Sequence, residues 1–450
     1  MTLEKDSLRL LFDALEVLES GFRDMPEFSP AVDTEALAAV LMETADRMRD
    51  NFPYPHPFYI GQMLKPPHPA ARLAYMLSLW INPNNHALDG GRCSSAMEKE
   101  AVAEIARMFG WKTHLGHLCA GGTMANLEAL WISRCLHPGR RIVASEQAHY
   151  THERICGVLG IPFQKIACDA WARMDVNALE KALKQGDVGT VVVTIGTTAT
   201  GSVDPLIDVL KLQDRYGFRI HADAAYGGYF TLVYDLQPGT RIVYDHLGEV
   251  DSIVIDPHKH GLQPYGCGCV LFKDPSVGKF YKHESPYTYF TSSELHLGEI
   301  SLECSRPGSS AVALWATQRM LPLVMGGEFA RGLEKCRKAA LRLFHMLQDD
   351  PRFMTVLAPE LDIVVFAPRA DSASGGSRLS DALFDAAARE NLHLAKANLP
   401  KSLFADHWSE VKWDQDSVTC LRTCLMKPEH LDWLDQIRDA LTRSADQVLK

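Results

Sequence analysis

Apolar and polar positions change period several times along this chain, and each change predicts an element. Residues 7–22, 34–49 and 70–80 place apolar side chains three or four apart, the spacing of helices. From residue 114 onward the pattern becomes short apolar runs of strand length. They occur at 114–120, 141–145, 163–166, 189–195, 218–223 and 253–255. Helical stretches stand between them, at 176–183 and from Asp204-Pro205 to Tyr216-Gly217, with Asp204 expected as N-cap and Pro205 in the first turn. Ser95-Ala-Met-Glu98 reads as a capping box that opens a helix running to about residue 108. Alternation of this kind demands a mostly parallel sheet with helices on both faces, the α/β class.

Past residue 273 the periodicity weakens. Residues 282–296 mix aromatic and polar side chains and read as a lid or crossing loop. Helical patterns up to 324 and over 327–347 lead to strands near 363–367 and 418–425, with helices near 379–388 and 429–445, a smaller α+β part. Ser372-Ala-Ser-Gly-Gly-Ser377 reads as a flexible surface turn. Arg422 falls on a strand, where either an ion pair or a substrate carboxylate would suit it. The proline-punctuated Asn51-Phe-Pro-Tyr-Pro-His-Pro57 marks a boundary. The expected division is an N-terminal helical arm at 1–55, a large domain at 56–325 and a small C-terminal domain at 326–450.

Composition narrows the function classes. The 450 residues are 46% hydrophobic and 23% charged, enough for a large core. A net charge of -10 without a basic tract argues against nucleic acid or an anionic membrane as partner. The start is polar and no window reaches the ~18 apolar residues of a spanning helix. Eleven scattered cysteines point to a reducing cytoplasm. The apolar stripes of the two arm helices need a cover, and a second subunit is the expected one.

The candidate chemistry sits at strand ends. Ile253-Val-Ile255 is stopped by Asp256-Pro257, so His258 and Lys259 follow where a strand gives way to a loop. Ligands of open α/β sheets bind at such carboxyl ends, which makes Lys259 a candidate nucleophile. Asp223 ends the strand at 218–223 and can face the same ligand from another side. An amine to hold an aldehyde and an anion beside a ring nitrogen are what pyridoxal phosphate requires. Gly121-Gly-Thr123 stands between a strand and a helix, where free backbone N–H groups can seat a phosphate. His149 and His152 are three apart with no third ligand nearby, so no metal is expected.

His221-Ala-Asp223-Ala-Ala-Tyr-Gly-Gly228, Asp256-Pro-His-Lys259 and Pro264-Tyr-Gly-Cys-Gly-Cys-Val-Leu-Phe272 together resemble the group II pyridoxal-phosphate decarboxylases of amino acids. The resemblance is strong over about residues 56–308 and general outside them. It implies a fold type I enzyme that decarboxylates an L-amino acid to its amine through a Lys259 Schiff base, as an interleaved homodimer with shared sites. It further implies catalytic roles for Lys259, His149, Asp223 and a loop tyrosine, Tyr289 or Tyr287. Cofactor contacts are implied at Gly122, Thr123, His149 (stacked on the ring), Thr194, Asp223, Ala225, His258, Lys259 and Ser309. His152 is left as a helix-surface residue. The sphingosine-phosphate lyases and oxidative aldehyde synthases share parts of this pattern and stay open as alternatives.

Overall fold

The computed structural model describes residues 5–86, 90–282, 300–355 and 357–449. Helices α1 (Lys5–Ser20) and α2 (Thr34–Met48) precede α3 (Pro69–Leu79) and α4 (Arg92–Met108). The alternating region follows as β1 (Leu115–Cys119), α5 (Gly122–Leu136), β2 (Arg141–Ser145), α6 (Thr151–Leu159), β3 (Phe163–Ile166), α7 (Val176–Leu183) and β4 (Val188–Thr194). It continues through α8 (Leu206–Tyr216), β5 (Arg219–Asp223), α9 (Pro238–Asp245), β6 (Ser252–Ile255) and β7 (Gly268–Phe272). Helices α10 (Ser309–Met320) and α11 (Glu328–Gln348) connect to β8 (Phe353–Thr355), β9 (Ile363–Pro368), α12 (Ala373–Arg389), β10 (Ala395–Pro400), β11 (Ser417–Cys424) and α13 (Leu434–Val448).

Among the described residues β1 to β7 form one sheet in the order β1-β7-β6-β5-β4-β2-β3. Strands β2 to β6 are parallel, and β7 alone runs against its two neighbours, β6 and β1. Every residue of β4 is buried, and successive ones serve different cores: Val191 and Val193 pack with Ile220 and Ile253, whereas Val192 packs with Leu130 and Ile155. Burial on both faces is why these strands read as continuous apolar runs. The second sheet, β10-β11-β9-β8, is antiparallel. Leu361, Ile363 and Val365 join it to the core of the first.

Three local expectations fail, the first two because a polar side chain found a partner outside its own helix and the third because a serine capped a helix. Helix α4 starts at Arg92, so Ser95 lies inside it. Glu98 turns inward, where Oε1 accepts the Leu118 N–H at 2.9 Å and Oε2 the Asn85 amide at 2.6 Å. Asp204 does not cap α8, whose N-cap is Pro205. Ser372-Ala-Ser-Gly-Gly-Ser377 is no surface turn: Ser372 caps α12, accepting the Gly375 N–H at 3.1 Å, and both glycines are helical.

Candidate active site

The carboxyl ends of β1, β2, β4, β5 and β6 border one cleft of about 580 Å³. Its walls include Gly121, Gly122 and Thr123 after β1, His149 after β2, Thr194 on β4, Asp223 and Ala225 from β5, and His258 and Lys259 after β6. The fold thus brings together residues that the sequence separates widely.

Lys259 Nζ lies 3.0 Å from Asp256 Oδ2, and the lysine side chain keeps 22% of its surface exposed toward the cleft. Asp256 is buried, and its Oδ1 has no hydrogen-bond partner among the described residues. On the neighbouring strands Thr194 and Asp223 are direct register partners. Asp223 Oδ1 accepts the Ala225 N–H at 3.2 Å, and Oδ2 lies 2.9 Å from His152 Nε2. Burial alone would raise the Asp223 pKa. The hydrogen bond from His152, with Coulombic attraction to that ring and to Lys259, reverses this and holds the carboxyl well below its usual range.

His152 is therefore not a surface residue, as the sequence suggested, but is 1% exposed. A signal was present: His152, Ile155 and Cys156 share the i, i+3, i+4 spacing of one helix face, and all three are buried. His149 stays at the cleft, where burial lowers its pKa against the opposing charge of Asp223, so the ring is neutral near pH 7.

Helix α5 begins at Gly122 with no side chain capping it, which leaves first-turn N–H groups facing the cleft. The loop before it is pinned from below. Asn126 Nδ2 donates to Gly122 O at 2.8 Å, His221 Nε2 donates to Asn126 Oδ1 at 2.8 Å, and Ser252 Oγ donates to His221 Nδ1 at 2.8 Å. Gly268 explains part of the glycine pattern in β7: a Cβ there would stand 2.5 Å from Gly121 Cα. Asp204, fully buried, accepts the Thr194 N–H at 2.7 Å and the Met174 N–H at 2.8 Å, and burial pushes its pKa up to about 7. None of Asn126, His152 and Asp204 was singled out for this work from the sequence.

A family model described as the pyridoxal-dependent decarboxylase conserved domain matches residues 128–369, more than half of the chain. The chain belongs to this family. The enzyme is 30% identical over 317 residues to a probable L-tyrosine/L-aspartate decarboxylase of Methanothermobacter thermautotrophicus, covering 68% of this chain and 82% of that one. An L-tyrosine decarboxylase of Enterococcus faecium is 28% identical over 373 residues, 60% of each chain. Among solved structures, the TDC of Oryza sativa with PLP and tryptamine superposes with a TM-score of 0.76 at 18% identity, covering 98% of this chain and 99% of that one. Mouse CSAD gives a TM-score of 0.78 at 18% identity, covering 98% and 92%.

Pyridoxal 5′-phosphate is the cofactor of this decarboxylase family member, and the cleft fits it. Uncapped N–H groups of α5 suit the phosphate, and Asp223 offers a charged oxygen to the same cleft from β5. Thr194 Oγ1 and His258 Nδ1 are buried without a hydrogen-bond partner among the described residues, groups that a bound polar molecule can satisfy. Ser309, at the start of α10, is buried and does not line the cleft of its own chain. Tyr287 and Tyr289 lie outside the described residues. Arg422 bonds carbonyls, Thr198 O at 2.7 Å and Gly61 O at 3.5 Å, rather than a carboxylate. Among the described residues no cluster of three His, Cys, Asp or Glu could hold a metal ion, and no helix is long and apolar enough to cross a membrane.

Proposed function

We propose that Lys259 is the amine that binds the cofactor's aldehyde, that Asp223 is the anion beside its ring nitrogen, and that the substrate is an L-amino acid released as amine and CO2. The observation that carries this reading is that Lys259 and a charged Asp223 line the same cleft from different strands. When bound, pyridoxal phosphate supplies an aldehyde that condenses with amines and a ring that accepts the electron pair left at the α-carbon. The chain does the rest. Gly122, Thr123 and the start of α5 would hold the phosphate, and Thr194, Ala225 and the neutral His149 would hold the ring. His258 and Asp256 fix the turn that carries Lys259. Tyr289, with Tyr287 as second candidate, is the proposed proton donor to the carbon after CO2 leaves.

A homodimer belongs to this proposal. No residue of α2 is buried, and Leu37, Val40, Leu41 and Met42 on it are exposed, as are Leu10, Phe12 and Val17 on α1. An unburied apolar face of that length calls for a partner surface. All eleven cysteines are free thiols, which supports a reducing, cytoplasmic location.

The test is product analysis by mass spectrometry with a panel of amino acids that includes tyrosine and aspartate, run beside Lys259→Ala. Amine and CO2 from the wild type, with loss of the bound cofactor's visible absorbance in the variant, are expected. An unchanged absorbance in Lys259→Ala overturns the role of Lys259; aldehyde and peroxide as the products overturn simple decarboxylation.

A further inference from the structure

We propose that His152 is a positioning residue for this reaction: it donates its Nε2–H to Oδ2 of Asp223 and so holds that carboxylate in one orientation, aimed at the cofactor's ring nitrogen. The inference rests on Asp223 having the role given above. The two side chains meet at 2.9 Å with 1% and 6% exposure, so bulk water cannot substitute for either partner. The other carboxylate oxygen accepts the Ala225 N–H at 3.2 Å, and the two bonds together stop rotation of the group. His221 lies on the same strand, but its ring nitrogens are bonded to Asn126 and Ser252. His152 Nδ1 is buried without a hydrogen-bond partner among the described residues, so the ring is directed at Asp223 alone. Its place is set locally: the His152 N–H donates to His149 O at 3.2 Å. One turn of chain thereby presents His149 to the cleft and His152 to the carboxylate. A charge-assisted bond in a dry site is strong, and losing it leaves a buried anion with one donor fewer.

The experiment compares His152→Leu, His152→Gln and Asp223→Asn with the wild type. It reads the apoprotein's affinity for pyridoxal phosphate, the apoprotein's thermal midpoint, kcat and KM. We expect His152→Leu to weaken cofactor affinity and lower kcat by about 10- to 100-fold, with KM moving less than about threefold, the range for one hydrogen bond to a charged group. His152→Gln, which retains an N–H, should recover most of that loss at the same thermal midpoint. If His152→Leu does not fold, His152→Phe, similar in volume and without a donor, takes its place. Wild-type affinity and kcat in His152→Leu, with both lost in Asp223→Asn, overturn the role of His152 and leave that of Asp223 standing. A Gln variant as impaired as Leu, with both midpoints equally lowered, makes the residue merely structural and also overturns the proposal. Wild-type behaviour of Asp223→Asn overturns the underlying reading instead.

Discussion

Asn126 Oδ1 accepts the Nε2–H of His221 at 2.8 Å, across a separation of 95 residues. Through this bond the strand that ends in Asp223 is tied to the loop that ends in Gly122, because Asn126 also holds Gly122 O at 2.8 Å. Two segments that line the cleft are thus tied together by one amide.

Asn126→Ala removes both side-chain bonds and leaves the buried His221 N–H without its acceptor, while the Gly122 carbonyl, in the first turn of α5, keeps its helical position. A cost of about 1–3 kcal/mol in stability is expected for an unsatisfied buried donor, together with weaker binding of pyridoxal phosphate. Thermal unfolding of the apoprotein and a cofactor titration check the two effects separately; loss of neither would deny the network its role.

Acid should destabilise this protein before its ordinary carboxylates titrate; Asp204, its pKa pushed up to about 7 by burial, takes up its proton earlier in the folded chain and offsets about one histidine's share. Burial pushes the pKa of His221 down to about 3, helped by the neighbouring His152, and burial does the same to His430, helped by Lys427. Both are neutral in the folded chain, while in the unfolded chain they protonate near pH 6.5, so the unfolded state binds more protons as pH falls. Their contribution is complete above about 6.5 and is lost progressively toward 3. Each unit of pH is worth about 1.4 kcal/mol per histidine at most, so a fall from about pH 6.5 to 5 removes on the order of 2 kcal/mol from each. The unfolding midpoint measured against pH should drop over that interval, and His430→Gln should flatten the drop.

Glu98 and Arg306 form a buried pair, 1% and 5% exposed, with Nη1 at 2.9 Å from Oε1. Arg306 also donates to the carbonyl of Leu118, at the end of the strand that leads to the glycine loop. Glu98→Ala strands a guanidinium in the core and should cost about 3–5 kcal/mol, whereas Glu98→Ala combined with Arg306→Met should recover part of it. Denaturant unfolding of the single and double variants decides, and equal losses in both would be the contrary result.

Leu37 and Leu41 on α2 are 48% and 53% exposed in the single chain. If a second copy covers them, Leu37→Asp with Leu41→Asp buries two unpaired charges at the interface and dissociates the dimer. Sedimentation velocity should then report half the wild-type mass, with turnover lost alongside. An unaltered mass would mean that α2 is not the contact.

The local patterns of the chain were sufficient for much of this. β2 and β3 and α7 occur where periodicity put them, the parallel sheet follows from strand and helix alternation, and Lys259, Asp223, His149, Thr194 and Gly122 meet in one cleft. These features are legible because each depends on neighbours within a few residues: a β-branched run, a proline stop, a glycine before a helix. What the cleft rests on was not legible. His152 finds Asp223 71 residues away, Glu98 finds Arg306 208 away, and Asn126 finds His221 95 away. Read in isolation, the first looks like a surface histidine and the second like a capping glutamate. Backbone preference acts over one turn or one strand, so sequence alone determined the elements and the ends at which chemistry collects; the partners of buried polar groups depend on which strands become neighbours, and only the folded chain decides that.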